Sequence, residues 1–306
     1  MDRTIDRRSF LKRTAAAGTA AVGMSVYGLG DLDALAGTGV GCRWGALVQS
    51  NNPEVAVRNM EATVRRKFAT THHRLPWTVD LNNGFTRWSV SGNRKPIISW
   101  FARTKSGAVS WRAIADGRHD GWITTQARAL RALGGQGYMC FAKEPEDEGN
   151  PGDWKAAHQR VRNIFDNTGV TGYRWLVTLT AATYQKGEAG LWLPNRYDAL
   201  GVDGYNRHRC FGVDWRTFGK IFSPSREFAR SRGQSLFVIE SGCVERSTGE
   251  KAAWIRDARE TIKGWPEIKG FSYNHENTDC NYFITSSQSS LDAFRAMGAD
   301  SYFQKQ

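Results

Sequence analysis

A buried β-strand that ends in a carboxylate is indicated by residues 236–242, which read LFVIESG. Consecutive apolar residues, two of them β-branched, are typical of a strand that is covered on both faces. Glu240 follows this run directly, and a carboxylate at such a place must face a polar cavity or an ion-pair partner. Residues 137–144 read GYMCFAKE and repeat the pattern, with Glu144 just beyond the apolar run. Two strands of the molecule are therefore expected to end in glutamates.

The rest of the chain alternates β-rich runs with amphipathic helical stretches. The predicted strands cover residues 43–48, 69–75, 96–101, 137–142, 173–180, 199–205, 235–240 and 269–273. The predicted helices cover residues 54–68, 120–133, 153–165, 215–230, 250–263 and 290–297. A long polar loop is expected through Asn82-Asn83-Gly84. Strands that are mostly followed by helices form a parallel sheet. Eight of them, without a Gly-rich dinucleotide fingerprint or a P-loop, favour an α/β fold of the (β/α)8 TIM-barrel type over an open doubly wound sheet.

The first 36 residues are set apart from the fold as a targeting segment. A charged stretch that contains Arg7-Arg8 and Phe10-Leu11-Lys12 leads into an Ala/Gly-rich run, and residues 34–36 (ALA) offer a cleavage site. This pattern resembles the bacterial twin-arginine export signal, although Asp6 stands where Ser or Thr is usual. A basic first helical turn is the alternative interpretation.

The export signal implies two parts of the chain, a signal peptide over residues 1–36 and a (β/α)8 barrel domain over residues 37–306. The twin-arginine translocase is then the partner during export, and the mature protein is expected outside the cell or associated with the cell wall. No apolar run reaches the length of a permanent membrane span. The mature protein is expected to be a monomer.

The composition is that of a globular, basic protein. The 306 residues carry a net charge of +12 with 40% hydrophobic residues, which excludes a disordered chain. The basic residues are scattered, and the densest run, Arg65-Arg66-Lys67, is typical of a solvated helix face, so no nucleic-acid partner is expected. The five Cys form no Cys-x-x-Cys pair and predict no zinc site, but they leave open one disulfide among Cys210, Cys243 and Cys280. No His, Asp and Glu spacing indicates a metal site.

Three short segments carry a resemblance to a known family. Residues 142–146 (AKEPE), 202–206 (VDGYN) and 238–242 (VIESG) look like the clan A glycoside hydrolases, and most like glycoside hydrolase family 26. The resemblance implies a (β/α)8 barrel that hydrolyses β-linked polysaccharide with retention, without a metal or an organic cofactor. Mannan is the most frequent substrate of that family, but nothing in the sequence selects mannose over glucose or xylose.

The resemblance places the acid/base at Glu144 and the nucleophile at Glu240. A retaining glycosidase needs one carboxylate to attack the anomeric carbon and one carboxylic acid to protonate the departing oxygen, about 5–5.5 Å apart. Glu240 would act in its ionised form, whereas Glu144 would have to carry a proton. Tyr205 resembles the tyrosine that hydrogen-bonds the nucleophile in this clan, and an ordinary interface aromatic is the equal alternative.

Lys143 departs from the family pattern, which has His directly before the acid/base. Neighbouring residues of a strand point to opposite faces, so Lys143 can simply fill a position outside the sugar site. If it enters the site, its ammonium favours the ionised form of Glu144 and weakens that residue as an acid. Glu146 is then the substitute acid.

Side chains near other strand ends are expected to bind sugar hydroxyls or to stack on a sugar ring. These predicted substrate-binding residues are His73, Trp100, Asp203, Tyr205, Asn206, Tyr273 and His275. Together the residues predict a secreted retaining endo-β-glycosidase of the mannanase type. A barrel that binds a glycan or cell-wall polymer but catalyses weakly is the alternative. A hydrolase of another class or a nucleic-acid binder is the third interpretation.

Overall fold

A computed structural model describes residues 40–208 and 210–305 of the chain. The predicted export signal at residues 1–36 lies outside the described residues. Over the described ranges, no helix is both long and apolar enough to cross a membrane.

Ten strands run through the described residues, and eight of them close into a parallel barrel in the order β1-β10-β9-β8-β7-β6-β3-β2. In chain order the strands are β1 (Arg43–Val48), β2 (Thr70–Pro76), β3 (Lys95–Phe101), β4 (Arg103–Thr104), β5 (Gly107–Ala108), β6 (Gly137–Phe141), β7 (Tyr173–Thr180), β8 (Ala199–Asn206), β9 (Leu236–Cys243) and β10 (Ile268–His275). The two short strands β4 and β5 form a separate hairpin beside the barrel mouth. The predicted (β/α)8 fold is confirmed.

Helices connect the barrel strands and pack around them. They are α1 (Pro53–Val64), α2 (Gly84–Ser91), α3 (Trp111–Ala115), α4 (Asp120–Leu133), α5 (Pro151–Thr168), α6 (Ala181–Gln185), α7 (Phe218–Ser231), α8 (Glu250–Gly264) and α9 (Gln288–Ala299). The predicted polar loop at Asn82-Asn83-Gly84 is wrong in its extent, because helix α2 begins there. The Asn83 side chain accepts a hydrogen bond from the Thr86 backbone N–H and caps that helix.

Strand alternation sorts the side chains into two layers. One cluster contains only strand residues and fills the inside of the barrel, namely Ile97, Tyr138, Cys140, Leu176, Ala199, Phe237 and Ile239. Their neighbours along each strand point the other way and join the larger core between the barrel and its helices. A strand side chain reaches the mouth of the barrel only if it lies at one of the alternate positions that face inward. These positions are called the inward phase of the strand.

The pairing of β8 with β9 changes phase just before Glu240. Val202 pairs with Val238, whereas the next residue, Asp203, pairs with Glu240. Ile239 is thus an extra residue in β9, a β-bulge of the kind that re-aims a side chain. Because of this bulge, the consecutive residues Ile239 and Glu240 both face the inside of the barrel.

A disulfide joins two loops above the barrel mouth. Cys210, in the loop after β8, is bonded to Cys280, in the loop after β10, with Cα atoms 5.9 Å apart. The structure therefore selects this pair among the three predicted cysteines, and Cys243 is a buried free thiol.

Candidate active site

A pocket of about 350 Å³ opens at the carboxyl ends of the barrel strands, where active sites of this fold lie. Its walls carry more charged and polar groups than apolar ones. The lining residues are Gln49, Arg74, Phe101, Lys143, Glu144, Tyr205, Arg207, Glu240, Asn274, Glu276, Thr278, Asp279 and Tyr282. The two predicted catalytic glutamates therefore lie in the same pocket.

Glu240 is the most firmly held carboxylate of the pocket, with 3% of the side chain exposed. Arg74 binds it through two parallel hydrogen bonds, from Nε to Oε1 at 3.1 Å and from Nη2 to Oε2 at 2.6 Å. The Tyr205 hydroxyl donates to Oε2 at 2.5 Å, as the resemblance implied for that tyrosine. The Lys143 ammonium lies 3.0 Å from Oε1. Every lone-pair direction of this carboxylate is thus near a donor.

Lys143 enters the site and lies among three carboxylates. Its side chain is 2% exposed, and Nζ contacts Asp203 Oδ2 at 2.5 Å, Glu144 Oε2 at 3.0 Å and Glu240 Oε1 at 3.0 Å. The possibility that Lys143 fills a position outside the site is therefore wrong. Strand alternation does not apply here, because β6 ends at Phe141 and the backbone turns sharply after it.

The backbone that presents Lys143 and Glu144 is strained. Ala142 and Glu144 have φ angles of 42° and 53°, in the left-handed region that residues with a Cβ rarely adopt. Backbone hydrogen bonds hold both residues in place, from Ala142 N–H to Trp100 O at 2.9 Å and from Glu144 N–H to Thr178 O at 2.9 Å. Strain of this kind is common where a protein must aim functional side chains. Here it turns two successive side chains into one pocket.

Glu144 differs from Glu240 in having an open side towards solvent, with 35% of its side chain exposed. Glu144 Oε2 and Glu240 Oε1 each lie 3.0 Å from the same Lys143 nitrogen. The two oxygens are therefore separated by no more than about 6 Å, the sum of those two distances. This limit includes the spacing of retaining glycosidases and lies below the roughly 6.5–9.5 Å of inverting ones.

The charges of the cluster fix its protonation. Burial would raise the pKa of Glu240, but Lys143 and Arg74 outweigh it and hold that pKa well below its usual range. Burial would lower the pKa of Lys143, but Asp203 and Glu240 hold it well above its usual range. Burial raises the pKa of Asp203 well above its usual range, against the attraction of Lys143. Glu240 thus stays ionised, and Lys143 stays charged.

Arg74 is the main site residue that the sequence analysis missed. It bridges Glu240 to Glu276, with Nη1 donating to Glu276 Oε2 at 3.0 Å. Asn274 completes this side of the pocket, donating to Tyr205 Oη at 3.0 Å and to Glu276 Oε1 at 2.7 Å. The available signal was its position, because Arg74 is a charged residue near the carboxyl end of strand β2 and directly follows the predicted site residue His73. His72 itself contacts Glu240, with Nδ1 3.7 Å from Oε1, and burial lowers its pKa to about 3, which keeps it neutral.

Two of the predicted substrate-binding residues belong to this cluster. Tyr205 lines the pocket, and Asp203 lies beneath it as the partner of Lys143. The other five, which are His73, Trp100, Asn206, Tyr273 and His275, do not line it. Each of them is next to a residue of the inward phase and points instead towards the helices or the loops outside the barrel. The prediction that these five side chains contact a sugar in this pocket is therefore wrong.

His73 and Trp100 lie between the barrel and its helices. The His73 ring stacks on Phe85 at 4.0 Å and lies 3.2 Å from the Ser89 hydroxyl, both in helix α2. The Trp100 ring stacks on Trp77 at 4.3 Å and is completely buried. Neither ring is available to a sugar in the pocket.

The three remaining side chains support loops and strand ends. The Asn206 amide oxygen accepts from the Arg216 backbone N–H at 3.4 Å. The Tyr273 hydroxyl donates to Cys243 O at 3.3 Å, and His275 Nδ1 accepts from the Ile284 N–H at 3.0 Å.

Glu146, the substitute acid considered from the sequence, also lies outside the pocket lining. Its Oε1 accepts from the Thr180 N–H at 2.7 Å and from the Thr183 hydroxyl at 2.6 Å. These contacts give Glu146 a structural role at the start of helix α6. Among the residues that the structure describes, no group of three or more His, Cys, Asp and Glu is arranged to hold a metal ion.

Comparison with known proteins gives one similar curated sequence and many similar folds. No protein-family model matches the chain. Endoglucanase H of Acetivibrio thermocellus is 24% identical over an alignment of 306 residues, which covers 90% of this chain and 32% of that protein. The chain thus spans about a third of the length of that relative.

Among solved structures, a GH26 β-mannanase from Bacteroides ovatus has a TM-score of 0.67 at 13% identity, over 89% of this chain and 92% of that one. A modular endo-β-1,4-mannanase from Cellulomonas fimi, described as a glycoside hydrolase family 26 enzyme, has a TM-score of 0.63 at 14% identity, over 90% and 73% of the two chains. This chain shares the barrel fold of these mannanases.

Proposed function

We propose that this chain is a retaining glycoside hydrolase that cleaves β-linked polysaccharide, with Glu240 as the nucleophile and Glu144 as the acid/base. The observation that carries the proposal is the pair of carboxylates at the barrel mouth, whose nearest oxygens lie within about 6 Å of each other around Lys143 Nζ. The barrel fold shared with the mannanases and the sequence similarity to an endoglucanase support it.

The environments of the two glutamates suit the two roles. Glu240 is ionised and fixed by Arg74 and Tyr205, so it can attack the anomeric carbon from a set position. Glu144 reaches solvent and has room for a leaving-group oxygen. When Glu240 becomes an ester its charge disappears, and Glu144 then takes a proton from the attacking water. This chemistry needs no metal or organic cofactor.

Lys143 supports a second candidate function, a barrel that binds a glycan but hydrolyses it weakly. Its ammonium contacts both of the proposed catalytic oxygens, where the family pattern has His instead of Lys. Binding of the sugar would then persist while turnover is slow. Replacing Lys143 by His, the residue of the family pattern, separates the two candidates. A gain in turnover would show that the ammonium limits a working hydrolase. No activity on any glycan, with binding retained, would favour a barrel that mainly binds.

The test is release of reducing sugar from β-mannan, mixed-linkage β-glucan and β-xylan, with the wild type beside Glu240→Gln. Glu146→Gln is the matched control, because it removes a nearby carboxylate that lies outside the pocket. The proposal expects release from at least one polymer by the wild type and the control, and none by Glu240→Gln. Equal release by all three proteins would contradict it. If the wild type binds a polymer but releases no reducing sugar, the second candidate is favoured.

We also propose that the protein is exported by the twin-arginine route and acts outside the cytoplasmic membrane. The proposal is supported by Arg7-Arg8, by the Ala/Gly-rich run that follows and by the cleavage pattern at residues 34–36. Replacing both arginines by lysine is expected to retain the protein, with its signal uncleaved, inside a bacterial host. Unchanged export of that variant, measured by cell fractionation, would contradict the proposal.

A further inference from the structure

The loop after β8 leads from the active-site pocket to a second pocket on the outside of the barrel. Arg207, at its start, lines the active-site pocket, and Thr217, at its end, caps helix α7. The disulfide from Cys210 to Cys280 ties the loop to the loop after β10. A hydrogen-bond contact of 3.1 Å between His208 Nδ1 and Val213 O folds it back on itself. The loop is thus anchored at several points.

The second pocket has a volume of about 280 Å³ and combines the half-buried Trp215 ring with two carboxylates, whereas the Trp254 ring in its wall is buried. It is lined by Trp215, Thr217, Glu250, Ala253, Trp254 and Asp257.

The groups of this second pocket are held in place by their neighbours. One face of Trp215 is covered by the Arg246 guanidinium, 4.9 Å from the ring centre, and Arg246 also binds Glu250. Asp257 Oδ2 accepts from the Phe218 N–H at 3.0 Å. Each carboxylate therefore has a fixed position and still has lone pairs for a hydroxyl donor.

Between the two pockets the loop exposes apolar side chains. Phe211 is 53% exposed and Val213 is 37% exposed, so two apolar side chains of one loop are open to a ligand. The Arg207 guanidinium lies 5.3 Å from the centre of the Phe211 ring and supports it from the pocket side. Phe211, Val213 and Trp215 lie at alternate positions of the loop, in order from the first pocket to the second.

The chemistry of this surface selects a neutral, hydroxyl-rich polymer. Flat aromatic faces pack against the C–H faces of sugar rings, and carboxylates accept hydrogen bonds from hydroxyls. Arg246 balances the charge of Glu250, and Asp257 accepts from the Phe218 N–H, so this pocket offers hydrogen-bond acceptors without a strong net charge and suits a neutral polymer. Arg207 lines the active-site pocket and begins this loop, so the loop adjoins that pocket.

We propose that the described residues of this loop from Cys210 to Thr217, together with the Trp215 pocket, form a second binding surface for a neutral β-linked polysaccharide, outside the active-site pocket. The identity of the polymer rests on the proposed function, whereas the surface itself does not. The surface holds a chain that is longer than the active-site pocket can take. Binding of a polymer should therefore depend on this surface, whereas binding of a short oligosaccharide should not.

The test measures binding in the Glu240→Gln background, so that no substrate is consumed. Isothermal titration compares soluble β-mannan or mixed-linkage β-glucan with the matching tetrasaccharide, for Trp215→Ala and Phe211→Ala. The proposal expects each variant to weaken polymer binding at least about fivefold, a size typical of losing an aromatic contact, and to leave tetrasaccharide binding within about twofold. Val55→Ala is the control, because it shortens a 48% exposed side chain on helix α1 and is expected to change neither affinity.

Unchanged polymer affinity in Phe211→Ala and folded Trp215→Ala would overturn the proposal, as would equal weakening for polymer and tetrasaccharide. Phe211 is exposed, so its variant keeps the test valid if Trp215→Ala fails to fold. Absence of polymer binding by the unaltered loop would also overturn it. Polymer binding that depends on Trp215, in a protein whose wild type hydrolyses nothing, would overturn the proposed function and leave this inference standing.

Discussion

Glu240 and Glu144 lie at the ends of different strands and contact the same ammonium, yet their surroundings differ. Glu240 is 3% exposed and receives hydrogen bonds from Arg74 and Tyr205, whereas Glu144 is 35% exposed and has Lys143 as its side-chain partner. A carboxylate surrounded by donors is held ionised and still. A carboxylate with one partner and an open side can exchange a proton and follow a leaving group. The contrast supports the two proposed roles more strongly than the presence of two glutamates does.

Among the changes that test this contrast, Glu240→Gln is expected to have the largest effect on activity. It keeps the size of the side chain but removes the proposed nucleophile, so kcat/KM on the best polysaccharide is expected to fall at least ~10³-fold. Arg74 still forms its ion pair with Glu276, and Lys143 still forms its ion pair with Asp203, so the fold should persist. Rates and the near-UV circular dichroism spectrum check both points. A folded variant that keeps more than a tenth of wild-type activity would remove Glu240 from its role.

Glu144→Gln is expected to separate substrates by their leaving groups. Hydrolysis of a polysaccharide should fall ~10²–10⁴-fold, the usual contribution of a general acid, because a sugar leaves poorly without a proton. A dinitrophenyl glycoside leaves without that help, so its kcat/KM should fall far less. The two values of kcat/KM are compared with those of Glu146→Gln. Equal losses on both substrates would move the acid to another residue.

Lys143→Gln tests how far the contrast depends on the shared cation. The change leaves Asp203 buried without its ammonium partner, which is expected to lower the free energy of unfolding by about 3–5 kcal/mol. Lys143→Gln/Asp203→Asn removes both charges and should recover a large part of that loss. Urea unfolding of the two variants and of Asp203→Asn completes the cycle. Additive effects of the two changes would show that the pair is not coupled.

The pH dependence of stability gives the smallest effect. The pKa of Glu240 is lower in the folded protein than in the unfolded chain, where its usual value is 4.5. Glu240 therefore stabilises the fold above that value, and this contribution is lost as the pH falls towards the lowered folded pKa. Glu240→Gln should flatten the fall of Tm between about pH 5 and pH 3. An equally steep fall in the variant would place the responsible carboxyl elsewhere.

The sequence was sufficient for the barrel, because eight β-rich runs alternate with amphipathic helices, and for the glutamate pair, because two of those runs end in a carboxylate. It was not sufficient for the side chains around them. His73, Asn206 and His275 each lie one residue from an inward position, and only the strand phase separates them from Arg74, Tyr205 and Glu276. Choosing residues by nearness to a strand end ignores that phase.

Two local features make the inward-facing positions hard to predict from the sequence. The bulge at Ile239 turns Glu240 inward, although strict alternation from Phe237 would turn it outward. The left-handed residues Ala142 and Glu144 bring Lys143 into the pocket, although neither is Gly or Asn, the residues that usually mark such a conformation. Both features depend on tertiary hydrogen bonding, which composition and periodicity do not show.

The most direct test of the account is to trap the sugar on the enzyme. The protein is incubated with the 2-deoxy-2-fluoro-β-glycosyl fluoride that matches its best polysaccharide, and its peptides are analysed by mass spectrometry. The account predicts one added sugar on Glu240 in the wild type, formed more slowly in Tyr205→Phe and absent in Glu240→Gln. A sugar attached to another residue, or a product of inverted anomeric configuration without any adduct, would contradict it.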